Sequence, residues 1–224
     1  MIFSKSKYLI FLSLMILAIF ISYFNFDRTI SMFFIEHANI FKHLGKKASM
    51  LGESHWYLTI GVLGALYFAF IDKNRPYMHR FLFLIYVNIF SGLISLILKL
   101  LFGRLRPWKL ENGENRFGFL SSQNPDYTFA ENISYQIDML MQNSTHYTSF
   151  PSGHTTTIFA VFTYMSILFP RFIYLWLSIA LLGASSRILA NDHFLSDVFA
   201  GIIVGTISTL FIYSKIKEKI DKNY

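Results

Sequence analysis

The sequence predicts an all-α protein, a polytopic membrane helical bundle of about six transmembrane helices with its active site at one membrane face. Three observations predict it. Of 224 residues, 54% are hydrophobic and 15% charged, where an average soluble domain carries about 25% charged residues. The apolar residues come in blocks rather than amphipathic stripes, and mean hydropathy is +0.43, which points to a bilayer rather than a large soluble core. Short polar strings rich in Lys, Arg and His lie near the ends of those blocks. One integral-membrane domain over residues 1–224 accounts for the length.

Six apolar segments follow one another, at residues 8–24, 56–71, 81–102, 155–169, 172–189 and 194–213. A spanning helix needs about 20 residues, with a range of about 17–25, so the second and fourth must extend into their flanks. The first follows Met1, Lys5 and Lys7 like a signal peptide. Its apolar run is longer than such a peptide needs and no small-residue cleavage pattern follows, so it reads as a retained anchor. The connection 25–55 carries Ile30, Met32, Phe33, Phe34 and Ile35 and predicts an interfacial amphipathic helix. The connection 103–153 is a long extramembrane loop with Trp108, Phe117, Phe119, Tyr127, Tyr135 and Tyr147. Loops of that length are lids, binding surfaces or disordered, and the aromatics suit the headgroup level.

The net charge of +7 comes from basic residues that flank apolar blocks, which a membrane surface explains and nucleic acid does not need to. Cysteine is absent, which excludes a disulfide framework and a thiolate metal site. Lys and Arg near the span ends divide evenly between the two sides. The tail lysines Lys215, Lys217, Lys219 and Lys222 and the basic turn at 72–80 then favour both termini on the cytoplasmic side of the cell (inner) membrane. An odd number of crossings separates the N-terminus from each polar string, so all the strings fall on the outer, periplasmic face.

Those strings are Lys99–x6–Arg106–Pro107, Pro151–Ser152–Gly153–His154 and Ser186–Arg187–x5–His193–x3–Asp197. They supply three cations, two imidazoles, a carboxylate and a small-residue turn, an inventory that suits a phosphate ester. Cations hold phosphoryl oxygens, one imidazole can attack phosphorus, and the other can protonate the leaving oxygen. Each string has a plainer reading beside this one. Lys99 and Arg106 could snorkel to headgroups, as Arg104 beside them is expected to do. Ser152 could simply cap a helix, with His154 at the interface. His193 and Asp197, one helical turn apart, could form a structural pair; in the functional reading Asp197 accepts from one ring nitrogen of His193 and fixes its tautomer. Asp192 is expected to be solvated.

Taken together and in this order, the strings resemble the type 2 phosphatidic acid phosphatase superfamily of membrane lipid phosphatases. The matching positions are Lys99, Arg106, Pro107, Pro151 to His154, Ser186, Arg187, His193 and Asp197. The resemblance implies phosphate-monoester or pyrophosphate hydrolysis on a membrane lipid, through a phosphohistidine and without metal or other cofactor. It implies that His193 attacks, Asp197 orients it, and His154 protonates the leaving alcohol and later activates water. Lys99, Arg106 and Arg187, with the backbone at Ser152 and Gly153, would bind the phosphoryl oxygens. Lipid A is weakly favoured as substrate, with phosphatidylglycerophosphate, undecaprenyl pyrophosphate and phosphatidic acid as alternatives. A lipid phosphotransferase and a non-catalytic lipid-binding membrane protein are the rivals of other classes.

Overall fold

The computed structural model describes residues 5–112, 124, 126–142 and 145–220. Phe117, Phe119 and Lys222 lie outside them. Among the described residues the fold is helical throughout, with no strand. Helix α1 (Lys5–Ile21) runs through a π-helical turn at Ser22–Phe26 into α2 (Asp27–Glu36). Helices α3 (Ala38–Ala48) and α4 (Ser54–Leu66) follow, then the long α5 (Arg75–Phe102). After α6 (Phe129–Gln142) come α7 (Gly153–Leu168), α8 (Ile173–Leu189) and α9 (Leu195–Ile220).

Among the described residues, five stretches are long and apolar enough to cross a membrane: Ser6–Glu36, Ile40–Ile71, Arg75–Leu110, Pro170–Leu189 and Leu195–Ile220. The sixth expected span is α7, whose 16 residues reach only about 24 Å, short of a hydrocarbon core of about 30 Å. Pro170 stops it from growing, because the residue before a proline is pushed out of the helical region. Helix α7 is instead the centre of the bundle. Its Ala160, Val161 and Tyr164 pack with Phe83, Leu84 and Val87 of α5, and its Ile158 and Phe159 with Ala180 and Ala184 of α8 and Val198 and Ile202 of α9. Leu9, Leu14 and Leu17 of α1 and Tyr174 and Leu182 of α8 stay exposed on the outside, as suits residues facing lipid.

Glycine lets α7 and α9 approach closely. A Cβ on Gly201 of α9 would stand 2.7 Å from the Ser152 carbonyl oxygen, and one on Gly205 would meet the Thr156 carbonyl. This small-x-x-x-small pair lets the backbones of α7 and α9 touch. The connection 25–55 is not the loop with one surface helix that the sequence suggested. Its first part continues α1 as α2, and its second part is α3. The long connection 103–153 holds α6, whose Gln136 amide donates to the Leu100 carbonyl at the end of α5. That contact lies against Gly103, which closes α5 at φ +43°, a conformation glycine adopts readily.

Candidate active site

Four helix ends converge on one cavity of about 520 Å³. Lys99 and Arg106 reach it from the end of α5 and the turn after it. Gly153 and His154 open α7, and His193 stands in the turn between α8 and α9. Ile137 and Met141 of α6 add an apolar wall. Arg187 does not line this cavity; it is buried beside it, close enough to depress both imidazoles.

A short strap, residues 146–151, holds these groups in place. The Lys99 ammonium donates to the Thr148 carbonyl at 2.5 Å and the Pro151 carbonyl at 2.7 Å, which uses two of its three hydrogens. The Arg106 amide donates to the His146 carbonyl at 2.9 Å. The His193 Nδ1 lies 2.7 Å from the Ser149 carbonyl oxygen. A carbonyl can only accept, so Nδ1 carries the proton and Nε2 keeps its lone pair.

That contact corrects the expected role of Asp197. Its Oδ2 is 3.7 Å from His193 Nδ1, beyond hydrogen-bond range. Asp197 instead accepts from the Ser149 hydroxyl at 2.5 Å and the Phe194 amide at 2.9 Å. It therefore positions His193 at one remove, through the residue whose carbonyl holds the ring. The signature serine also departs from expectation. The Ser152 amide donates to the Asp197 carbonyl at 3.0 Å, and its hydroxyl accepts from the Thr155 hydroxyl at 3.0 Å as the cap of α7. Ser152 is thus committed to joining α7 to α9, and of the proposed backbone donors Gly153 remains.

Arg104 is the largest departure. Expected at headgroups, it is fully buried. Its Nη1 donates to Asp197 Oδ1 at 2.6 Å and Nη2 to Asp27 Oδ2 at 2.8 Å. The guanidinium lies 4.1 Å over the Phe194 ring, where a cation is attracted to the π face. Asp27, on α2, also accepts from the Ser22 hydroxyl and the Ser196 amide. Asp192 is not simply solvated either; it accepts from Arg187 at 2.8 Å. Sequence reasoning also missed Ser149 and Gly52. A Cβ on Gly52 would stand 2.6 Å from His154 Cβ, so this glycine gives the imidazole its room. The buried Asp27 within an apolar run was the one signal that could have flagged the ion cluster.

Burial lowers the His154 pKa to about 3, and Arg187, Arg106 and Lys99 add to the effect. Burial likewise holds His193 well below the usual imidazole value, with Arg106 and Arg187 the next causes. Both rings are therefore neutral near pH 7. A bound phosphate dianion would oppose the cationic part of that shift and favour a proton on His154. Among the described residues no three of His, Cys, Asp and Glu group so as to hold a metal ion.

A buried cation cluster beside two neutral imidazoles at the converging ends of a helical bundle has the chemistry to hold an anion. The chain belongs to the PAP2 superfamily, whose family model matches residues 80–221. It is similar to a protein named lipid A 1-phosphatase from Rhizobium johnstonii, 28% identical over 174 residues, which cover 73% of this chain and 63% of that one. A protein of the same name from Rhizobium etli is 26% identical over 187 residues, 78% of this chain and 72% of that one. Lipid A 4'-phosphatase of Porphyromonas gingivalis is 29% identical over 168 residues, 72% of this chain and 61% of its own length. No solved structure matches the chain.

Proposed function

We propose that the protein is an integral-membrane lipid phosphatase that hydrolyses a phosphate monoester through a phosphohistidine, with lipid A as the favoured substrate. The observation that carries this reading is the tautomer of His193: with Nδ1–H held by the Ser149 carbonyl, the free lone pair belongs to Nε2, beside Lys99, Arg106 and His154. Nε2 attacks phosphorus as the bond to the leaving oxygen breaks, and His154 gives that oxygen its proton. In the second half His154 takes a proton from water, the water oxygen bonds to phosphorus, and the P–N bond breaks. Lys99, Arg106, Arg187 and the Gly153 amide stabilise the charge spread over the equatorial oxygens. Asp197 acts by holding Ser149. Three relatives carry lipid A phosphatase names, which favours that lipid. The single domain, the periplasmic placing of the site and the cytoplasmic termini belong to the same proposal.

The test is phosphate release by the purified protein in detergent, with EDTA present. The panel is lipid A, phosphatidylglycerophosphate, undecaprenyl pyrophosphate and phosphatidic acid. Wild type should release phosphate and His193→Ala should not, while remaining folded. Release by His193→Ala at the wild-type rate would sink the phosphohistidine, and inhibition by EDTA would sink the metal-free scheme.

A further inference from the structure

A second cavity, about 460 Å³, adjoins the first and is also lined by His154. Glu53 and His55 from the start of α4, Asn88 and Ser95 from α5 and Thr157 from α7 line it. It shares Leu96, Lys99, Gly153 and His154 with the first cavity. The two differ in chemistry. The first adds Leu100, Ile137 and Met141 to its walls, whereas the groove carries an amide, three hydroxyls (Ser54, Ser95 and Thr157) and a carboxylate along its length.

Two of those groups are costly where they stand. Asn88 and Ser95 are 6% and 3% exposed, and neither Asn88 Oδ1 nor Ser95 Oγ has a hydrogen-bond partner among the described residues. The Asn88 amide is oriented, because its Nδ2 donates to the Leu84 carbonyl at 2.8 Å; its oxygen is therefore the atom left over. Asn88, Gly92, Ser95 and Lys99 recur at helical spacing, so the unsatisfied groups and the phosphate-site lysine share one face of α5. Buried polar atoms of this kind are normally paired, and those that are not call for a ligand or water. The amide oxygen and carboxylate can only accept, so the groove suits a guest that brings O–H or N–H donors.

We propose that this groove is the leaving-group subsite and that it receives a hydroxyl-bearing head group, a sugar or a glycerol, attached to the phosphate held by Lys99 and Arg106. The inference rests on the phosphatase reading of the neighbouring cavity. His154 lines both cavities, and the proton it delivers goes to the leaving oxygen, so the leaving alcohol lies beside His154, where the groove begins. A head group with hydroxyls satisfies Asn88 and Ser95 and can donate to Glu53, whose carboxylate otherwise faces His55 at 3.5 Å. A diacylglycerol leaving group brings no such donors, and a polyprenyl phosphate brings acceptor oxygens beside the Glu53 carboxylate; both leave the Asn88 and Ser95 oxygens unpaired, the arrangement by which a polar site rejects an analogue that lacks a hydroxyl.

The experiment compares kcat/KM on the same four lipids for the wild type, Asn88→Leu, Ser95→Ala and Glu53→Gln, each checked for a monodisperse folded state. The wild type should prefer lipid A or phosphatidylglycerophosphate over phosphatidic acid by at least about tenfold. Each substitution should lower that ratio by about threefold or more. The faster of the two preferred lipids separates a sugar from a glycerol head group, and either supports the groove. A wild-type ratio near one, or an unchanged ratio in folded Ser95→Ala and Glu53→Gln, would overturn the subsite while the phosphatase reading stands. No hydrolysis of any lipid by the wild type would overturn both.

Discussion

Arg104 and Arg106 sit two residues apart and face opposite fates. Arg104 is sealed in the bundle between two carboxylates, stacked on Phe194. Arg106 lines the cavity; its Nη2 is 3.4 Å from the Thr148 hydroxyl, and its Nε has no partner among the described residues. The first cation is spent on the fold. The second keeps its charge available for an anion. A buried cation with full carboxylate partners presents little field to a ligand, while one held by neutral groups presents nearly all of it. Asp197 belongs to the sealed region, and through the Ser149 hydroxyl it touches the reactive one.

The largest expected effect comes from breaking the sealed side. Arg104→Ala strands Asp27 and Asp197 without their cation, at a cost of about 3–5 kcal/mol. Size-exclusion chromatography and thermal unfolding in detergent should show little folded protein; a normal melting curve would erase the distinction between the two arginines. Arg106→Ala should fold normally and lose about 10²–10³ in kcat. Activity and melting temperature measured on one preparation test both halves of that statement. Ser149→Ala keeps the carbonyl that holds His193 and removes the hydroxyl that Asp197 grips. It should lower kcat by about tenfold to a hundredfold with less change in KM, which steady-state kinetics can separate.

The smallest effect is on pH dependence. His154 is lowered from 6.5 to about 3 and His193 is lowered as well. Below pH 6.5 the unfolded chain therefore binds protons that the folded site refuses, so stability is full above that value and falls as pH drops toward about 3. Arg106 contributes to both depressions, so Arg106→Ala should soften the acid loss. Melting temperature against pH for the two proteins measures it, and parallel curves would deny Arg106 its place in the field.

Much of this was legible from spacing. Lys99, Arg106, Gly153, His154 and His193 were expected in one place and line one cavity. What spacing could not supply was the second partner of each group. Asp197 stands one helical turn from His193, so the pair looked sufficient, yet a carbonyl 44 residues away takes the ring proton. Arg104 looked like a headgroup cation because its carboxylates lie 77 and 93 residues distant. Ser152 was read as a phosphate donor because its amide's use by the Asp197 carbonyl depends on how α7 and α9 cross. The apolar blocks predicted the helices well. They could not show that α7, which grows from the shortest of the six blocks, is enclosed by its neighbours, since composition alone does not separate lipid contact from protein contact.

The family match begins at residue 80, but one of the two carboxylates on Arg104 comes from residue 27. Helix α2 thus behaves as a tethered counter-ion, delivered to the core from a segment that shares none of the motifs. A chain rebuilt from α5 onward would keep every signature residue and still hold a guanidinium with Asp197 where Asp27 and Asp197 stand now. Grafting or trimming this domain is therefore a question of electroneutrality before it is one of length.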